Sequence, residues 1–179
     1  MEAFFRKHTP TRQSILCVFA SLIFFINLWA IYNLLLVVPS WLKSMTVWDA
    51  VGALSYVLAF ALLESLVLLV PLVLLSFILP APFFRDKFTA QGTMLAMVTV
   101  GFLVAAHLYG DRWQIWTPLY RHWRNLFLAA VVISPFLVYF IKILERGLRA
   151  FADRIQVLAL FYAVLGVIAL GIVLVRAIF

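Results

Sequence analysis

The sequence predicts an all-α membrane protein, a bundle of five transmembrane helices. Two observations carry that reading. Of 179 residues, 66% are hydrophobic and only 12% charged, with a mean hydropathy of +1.12, whereas a soluble domain is about a quarter charged. The apolar residues are also gathered into five runs long enough, or nearly so, for the roughly 20 residues that cross the hydrocarbon as a helix.

The first run, Ser14–Val38, follows a basic N-terminal stretch, as a secretory signal would. It is much longer than a signal's apolar region and ends at no small-residue cleavage site, so it is read as the first span. Pro39 is expected to stop it, because the residue before a proline is pushed out of the α region. The second span, 53–79, contains Glu64 and Pro71 and is stopped by Pro80 and Pro82. The third, 91–109, takes Thr89 as its cap. The fourth is short as an apolar count, but Thr117 and Pro118 form a cap and first-turn proline, which extends the helix to 118–146. Gly147 is expected to end it at a C′ position. Asp153 and Gln156 then open the fifth span, 154–177, as a capping-box variant.

Orientation follows from the basic residues of the short connections. With the N-terminus inside, the inner segments hold nine Lys and Arg and the outer ones five of the fourteen, so the N-terminus is expected inside and the C-terminus outside. No internal repeat is found, and the whole of 1–179 reads as one transmembrane domain. The net charge of +7 lies between apolar runs, not on a solvated face, which argues against nucleic acid and for anionic lipid headgroups. The expected setting is a plasma or bacterial inner membrane.

Glu64 is the one acid deep in a span. It lies roughly 16 Å from the outer end of its helix, near the bilayer midplane. A charged carboxylate there costs on the order of 2.5–3.5 kcal/mol, so it should face the bundle, pair, or stay protonated. No Lys or Arg shares its depth. Asn27, Thr99 and Ser134 are the candidate hydrogen-bonding partners by depth, while His107 is placed near the outer end and would need water to reach it. Glu64 with these partners is either a clamp between helices or a proton or cation site.

The outer stretch GDRWQIWTPLYRHWRN holds the second candidate site, Arg112, Trp113, Trp116, Arg121, Trp123 and Arg124. Its aromatics suit a headgroup belt. Its arginines exceed what a belt needs and would hold lipid phosphate or an acidic partner surface. Small residues on the fifth span, Ala159, Ala163, Gly166, Ala169 and Gly171, would permit close helix approach, within the chain or to another copy. Cys17 has no second cysteine and reads as a small apolar side chain. No catalytic triad, metal motif or phosphate loop is present, and His107 has no second histidine at its depth to complete a haem site, so neither metal nor cofactor is expected.

The layout of five spans ending outside resembles the membrane anchor of lipoteichoic-acid-synthase-like phosphotransferases. Those carry a large outer catalytic domain that is not read in these residues, and the resemblance transfers no functional residue. The leading expectation is a non-enzymatic accessory, scaffold or assembly subunit of a membrane complex, with other membrane proteins or further copies as partners. A small channel or cation-coupled transporter using Glu64 is the alternative, and an enzyme acting on lipid at the outer leaflet is third.

Overall fold

A computed structural model describes residues 10–109 and 118–178, without the side chains of 42–44 and 118–120. It is all-helical, with five helices: α1 Arg12–Ser44, α2 Val47–Ile78, α3 Phe88–Tyr109, α4 Pro118–Phe140 and α5 Lys142–Ile178. All five are long and apolar enough to cross a membrane.

Their ends follow local chemistry, though not always at the expected residue. Thr11 caps α1, its hydroxyl accepting from the Ser14 N–H at 3.2 Å. Pro39 does not stop that helix, which continues to Ser44. The missing N–H of Pro39 deprives only the Leu35 carbonyl, four residues back, of its helical donor, a loss that long apolar helices tolerate, and the Ser40 hydroxyl bonds locally to the Val37 carbonyl at 2.7 Å. The stop comes instead at Thr46, which caps α2 by accepting from the Asp49 N–H, so α2 starts six residues earlier than expected. It ends before Pro80, as the sequence implies.

Thr89 is not a cap. Turns over 81–87 already supply carbonyls, Arg85 accepting from Phe88 N–H and Lys87 from Gln91 N–H, so α3 begins at Phe88 without a side-chain acceptor. The break between the last two helices is also displaced. α4 ends at Phe140 and α5 runs from Lys142 straight through Gly147 and Asp153. No glycine among the described residues has a positive φ, so Gly147 forms no left-handed C′ cap. Glu145 braces the first turns of α5 by pairing with Arg149 four residues on at 2.8 Å and with Lys87 at 2.7 Å. Asp153 and Gln156 turn to Cys17 instead of capping: Gln156 Nε2 donates to Cys17 Sγ at 2.8 Å, and the thiol lies 3.9 Å from the Asp153 carboxylate. At 1.5 Å per residue the 37 residues of α5 span roughly 55 Å, more than the ~30 Å that a bilayer's hydrocarbon requires.

α1 is the hub. α2, α3 and α5 all pack on it, α5 also packs along α2 and α3, and α4 leans mainly on α3. Residues Val18, Leu22 and Ile26 of α1 meet Leu72, Phe84, Phe88, Leu95 and Ala96 in the main apolar core. α2 and α3 barely touch each other. The connection Leu79–Lys87 and its buried Phe84 hold them together at one end; beyond it they flank α1 as separate walls.

Glycine sets two of the approaches. A Cβ at Gly92 would lie 2.6 Å from Val18 Cγ2, and one at Gly166 would lie 2.9 Å from Leu62 Cβ, while one at Gly171 meets nothing within 4 Å. Ala159, Gly166 and Ala169 are buried, so most of the small-residue stripe is used inside the chain. Gly166→Leu is therefore expected to cost about 1–3 kcal/mol by overpacking against α2. Gly171→Leu should leave the melting temperature in detergent unchanged or slightly raised; equal effects at the two positions would contradict this packing.

Arg176, at the end of α5, donates to the Trp48 carbonyl at 2.9 Å and lies 3.8 Å from Asp49. Asp153, near the other end of that helix, meets Cys17. The start of α1 and the end of α5 thus lie at opposite ends of the bundle.

Candidate functional site

Between α2 and α3, over the floor made by α1, an open fissure begins where the core residues stop. One cavity of about 540 Å³ is lined by Ile26 and Trp29 of α1, Phe60, Leu63, Glu64, Val67 and Leu68 of α2, and Val100, Leu103, Val104 and His107 of α3. A second, of about 390 Å³, continues along α1 to Asn33, Val37 and Trp41 and shares Ile26, Trp29, Phe60 and Glu64 with the first. The volumes are those of ligand-sized clefts, and the lining is apolar with few convergent polar groups.

α2 places Glu64 there by helical spacing. Tyr56, Phe60, Glu64 and Val67 recur at intervals of four and three, so they share a face, and all four are exposed. Glu64 is the 18th of the 32 residues of α2, roughly 26 Å from its start, which keeps it near mid-span. Its carboxyl makes no hydrogen bond or ion pair with any described residue.

None of the three partners chosen by depth lines this cavity. Asn27 is 1% exposed and donates to the Ile23 carbonyl at 2.8 Å; its Oδ1 is buried without a partner. Thr99 is half-buried beside Val100, which lines the cavity where Thr99 does not. Ser134 is buried and donates to the Val131 carbonyl at 3.3 Å, the carbonyl four residues before Pro135 and so the one that proline leaves free. Depth alone misleads because neighbouring residues on a helix differ by about 100° around its axis.

His107 does line the cavity, although its depth argued against it. It is exposed, and the Trp29 ring stands edge-on to it with centroids 5.6 Å apart. No hydrogen bond joins it to Glu64, so the two are separated members of one cleft.

Of the outer group, Arg112, Trp113 and Trp116 lie outside the described residues. Arg121 and Arg124 are exposed on the first turns of α4. Trp123 packs on Phe102 of α3 with centroids 4.9 Å apart, which fixes the start of α4 against α3.

Sequence reasoning missed Gln91. It is fully buried and its Nε2 donates to the Phe83 carbonyl at 2.8 Å and the Pro135 carbonyl at 3.3 Å, tying α3 to the preceding turn and to α4. The available signal was an uncharged amide directly before Gly92, in a stretch of small residues that allows close approach. Ser21 and Thr93 add a second polar link, their hydroxyls 3.1 Å apart between α1 and α3. These polar groups fasten the bundle; Glu64 fastens nothing.

No protein-family model matches this chain, and no significant similarity to a curated protein or a solved structure was found.

Proposed function

We propose that this protein is a non-enzymatic accessory subunit of a membrane complex, and that the α2–α3 fissure is where its partner sits. The observation that carries this reading is Glu64: a carboxyl at mid-helix, exposed, in an apolar cleft, with no partner among the described residues. Lipid tails offer it no hydrogen bond, and leaving such a group in hydrocarbon costs several kcal/mol. A neighbouring protein that closes the fissure removes that cost.

The proposed orientation places the N-terminus and the α2–α3 and α4–α5 connections inside, where nine of the chain's fourteen Lys and Arg meet anionic headgroups. Arg121 and Arg124 then face the outer headgroups. A plasma or bacterial inner membrane is the proposed setting.

The second reading, a cation-coupled carrier, is favoured by His107, because two titratable groups share one cleft. Against it stands the packing of Leu22, Leu72, Phe84, Phe88 and Leu95 beyond Glu64, a dry apolar core on the way to the far end of the bundle.

Affinity capture in mild detergent, with quantification of co-purifying proteins, separates the two. The subunit reading expects a partner in fixed ratio to the wild-type chain and its loss from Glu64→Gln. A chain that purifies alone, yet moves cations in vesicles only when Glu64 is intact, would establish the carrier instead.

A further inference from the structure

We infer that the fissure receives one transmembrane helix of a different protein, carrying a lysine or arginine at the depth of Glu64. This rests on the subunit reading and specifies its partner.

The shape fits a helix. The two cavities run along α1 from Ile26 to Trp41, roughly 22 Å, or about four turns of a helix lying against it. The first cavity is walled by α2 and α3 and the second by α2 along α1, and the exposed residues of the shared α2 wall are large and apolar: Phe60 is 58% and Val67 67% exposed. Ridges of this kind accept an intercalating helix.

The charge selects the partner. Among the described residues Glu64 is the only carboxylate lining the fissure, with His107 and the Tyr56 phenol as its titratable companions there. A lysine or arginine at mid-span is as costly alone in hydrocarbon as Glu64 is, and pairing them relieves both. The rings of Trp29 and Phe60 also line both cavities, and aromatic rings near a cation would strengthen the preference.

A second copy of this chain cannot supply the cation. Its fourteen Lys and Arg stand at 6, 7, 12, 43, 85, 87, 112, 121, 124, 142, 146, 149, 154 and 176, and every one of them lies near an end of an apolar run. A lipid brings only tails to that depth. The partner is therefore a helix from another protein.

The test uses the full chain, donor-labelled and reconstituted in phosphatidylcholine vesicles, with acceptor-labelled leucine-rich transmembrane peptides that differ in one central residue. The lysine peptide should associate at a peptide-to-lipid ratio about tenfold or more below that of the leucine peptide. Glu64→Gln should erase that preference, and Glu64→Lys should transfer it to a peptide with a central glutamate. Circular dichroism and size-exclusion profiles of the variants establish that they fold.

Equal association of lysine and leucine peptides, insensitive to Glu64→Gln, would overturn the charge assignment while leaving a helix-docking fissure in place. Absence of any peptide association above random mixing would overturn the docking itself. Chain-to-chain transfer that competes the lysine peptide away would make a second copy the occupant and sink the inference.

Discussion

Glu64→Gln is expected to lower retention of the partner about thirtyfold or more, the consequence of removing one member of a desolvated charge pair at about 2–5 kcal/mol. The substitution keeps the volume and most of the hydrogen-bonding shape of the side chain, so packing is not what changes. The folded chain should not suffer, because Glu64 makes no bond to any described residue and is exposed on α2. A clamp would behave differently: it would lose stability in the isolated chain, which thermal melting in detergent reads directly. The expected pattern is therefore an unchanged melting temperature with a lost partner. A lowered melting temperature with the partner retained would assign Glu64 to the bundle.

Phe88→Ala is expected to be the most destabilising of the simple truncations, at about 3 kcal/mol. Phe88 is 1% exposed and Phe84 fully buried, and the two rings meet edge to face with centroids 5.6 Å apart. They sit in the core shared by α1, α2 and α3, at the end where the α2–α3 connection closes the bundle. In a membrane the lost transfer from water matters less, because the alternative surroundings are also apolar, and the cavity and lost contacts make up most of the cost. Phe161→Ala, at a ring 60% exposed on α5, serves as the control and should change stability by less than about 0.5 kcal/mol. Melting followed by circular dichroism in one detergent compares them; similar losses at both positions would contradict the placement of the core.

Much of the fold was legible because lipid imposes a simple rule. A segment of apolar residues of sufficient length must be helical to satisfy its own backbone, and five such segments are the five helices. Their ends were less legible. Pro39 and Gly147 carry strong stop signals in water, but a long apolar helix tolerates the single bond that Pro39 removes, and ion pairs around Glu145 brace the turns that run on through Gly147. A capping preference of about 1 kcal/mol is easily outweighed by such neighbours.

The candidate site was legible at one residue only. Glu64 is conspicuous because its chemistry conflicts with its surroundings whatever the packing. Its neighbours depend on the angle at which each helix faces α1, and that angle comes from tertiary contacts such as Val18 against Gly92. Depth in the sequence therefore selected Asn27, Thr99 and Ser134, and overlooked the part His107 and Trp29 have in the cleft. Gln91 escaped for a related reason, since its role appears only when the Phe83 and Pro135 carbonyls are brought to it by folding.

The claim that another protein covers Glu64 is tested most directly by site-specific photo-crosslinking in native membranes. A photoreactive residue at Phe60 or Val67, which flank Glu64 in the fissure, is compared with one at Val132, 61% exposed on α4. The fissure positions should yield one discrete protein adduct that disappears with Glu64→Gln, and Val132 should yield lipid adducts alone. Fissure positions that crosslink only to lipid, as Val132 does, would contradict the account.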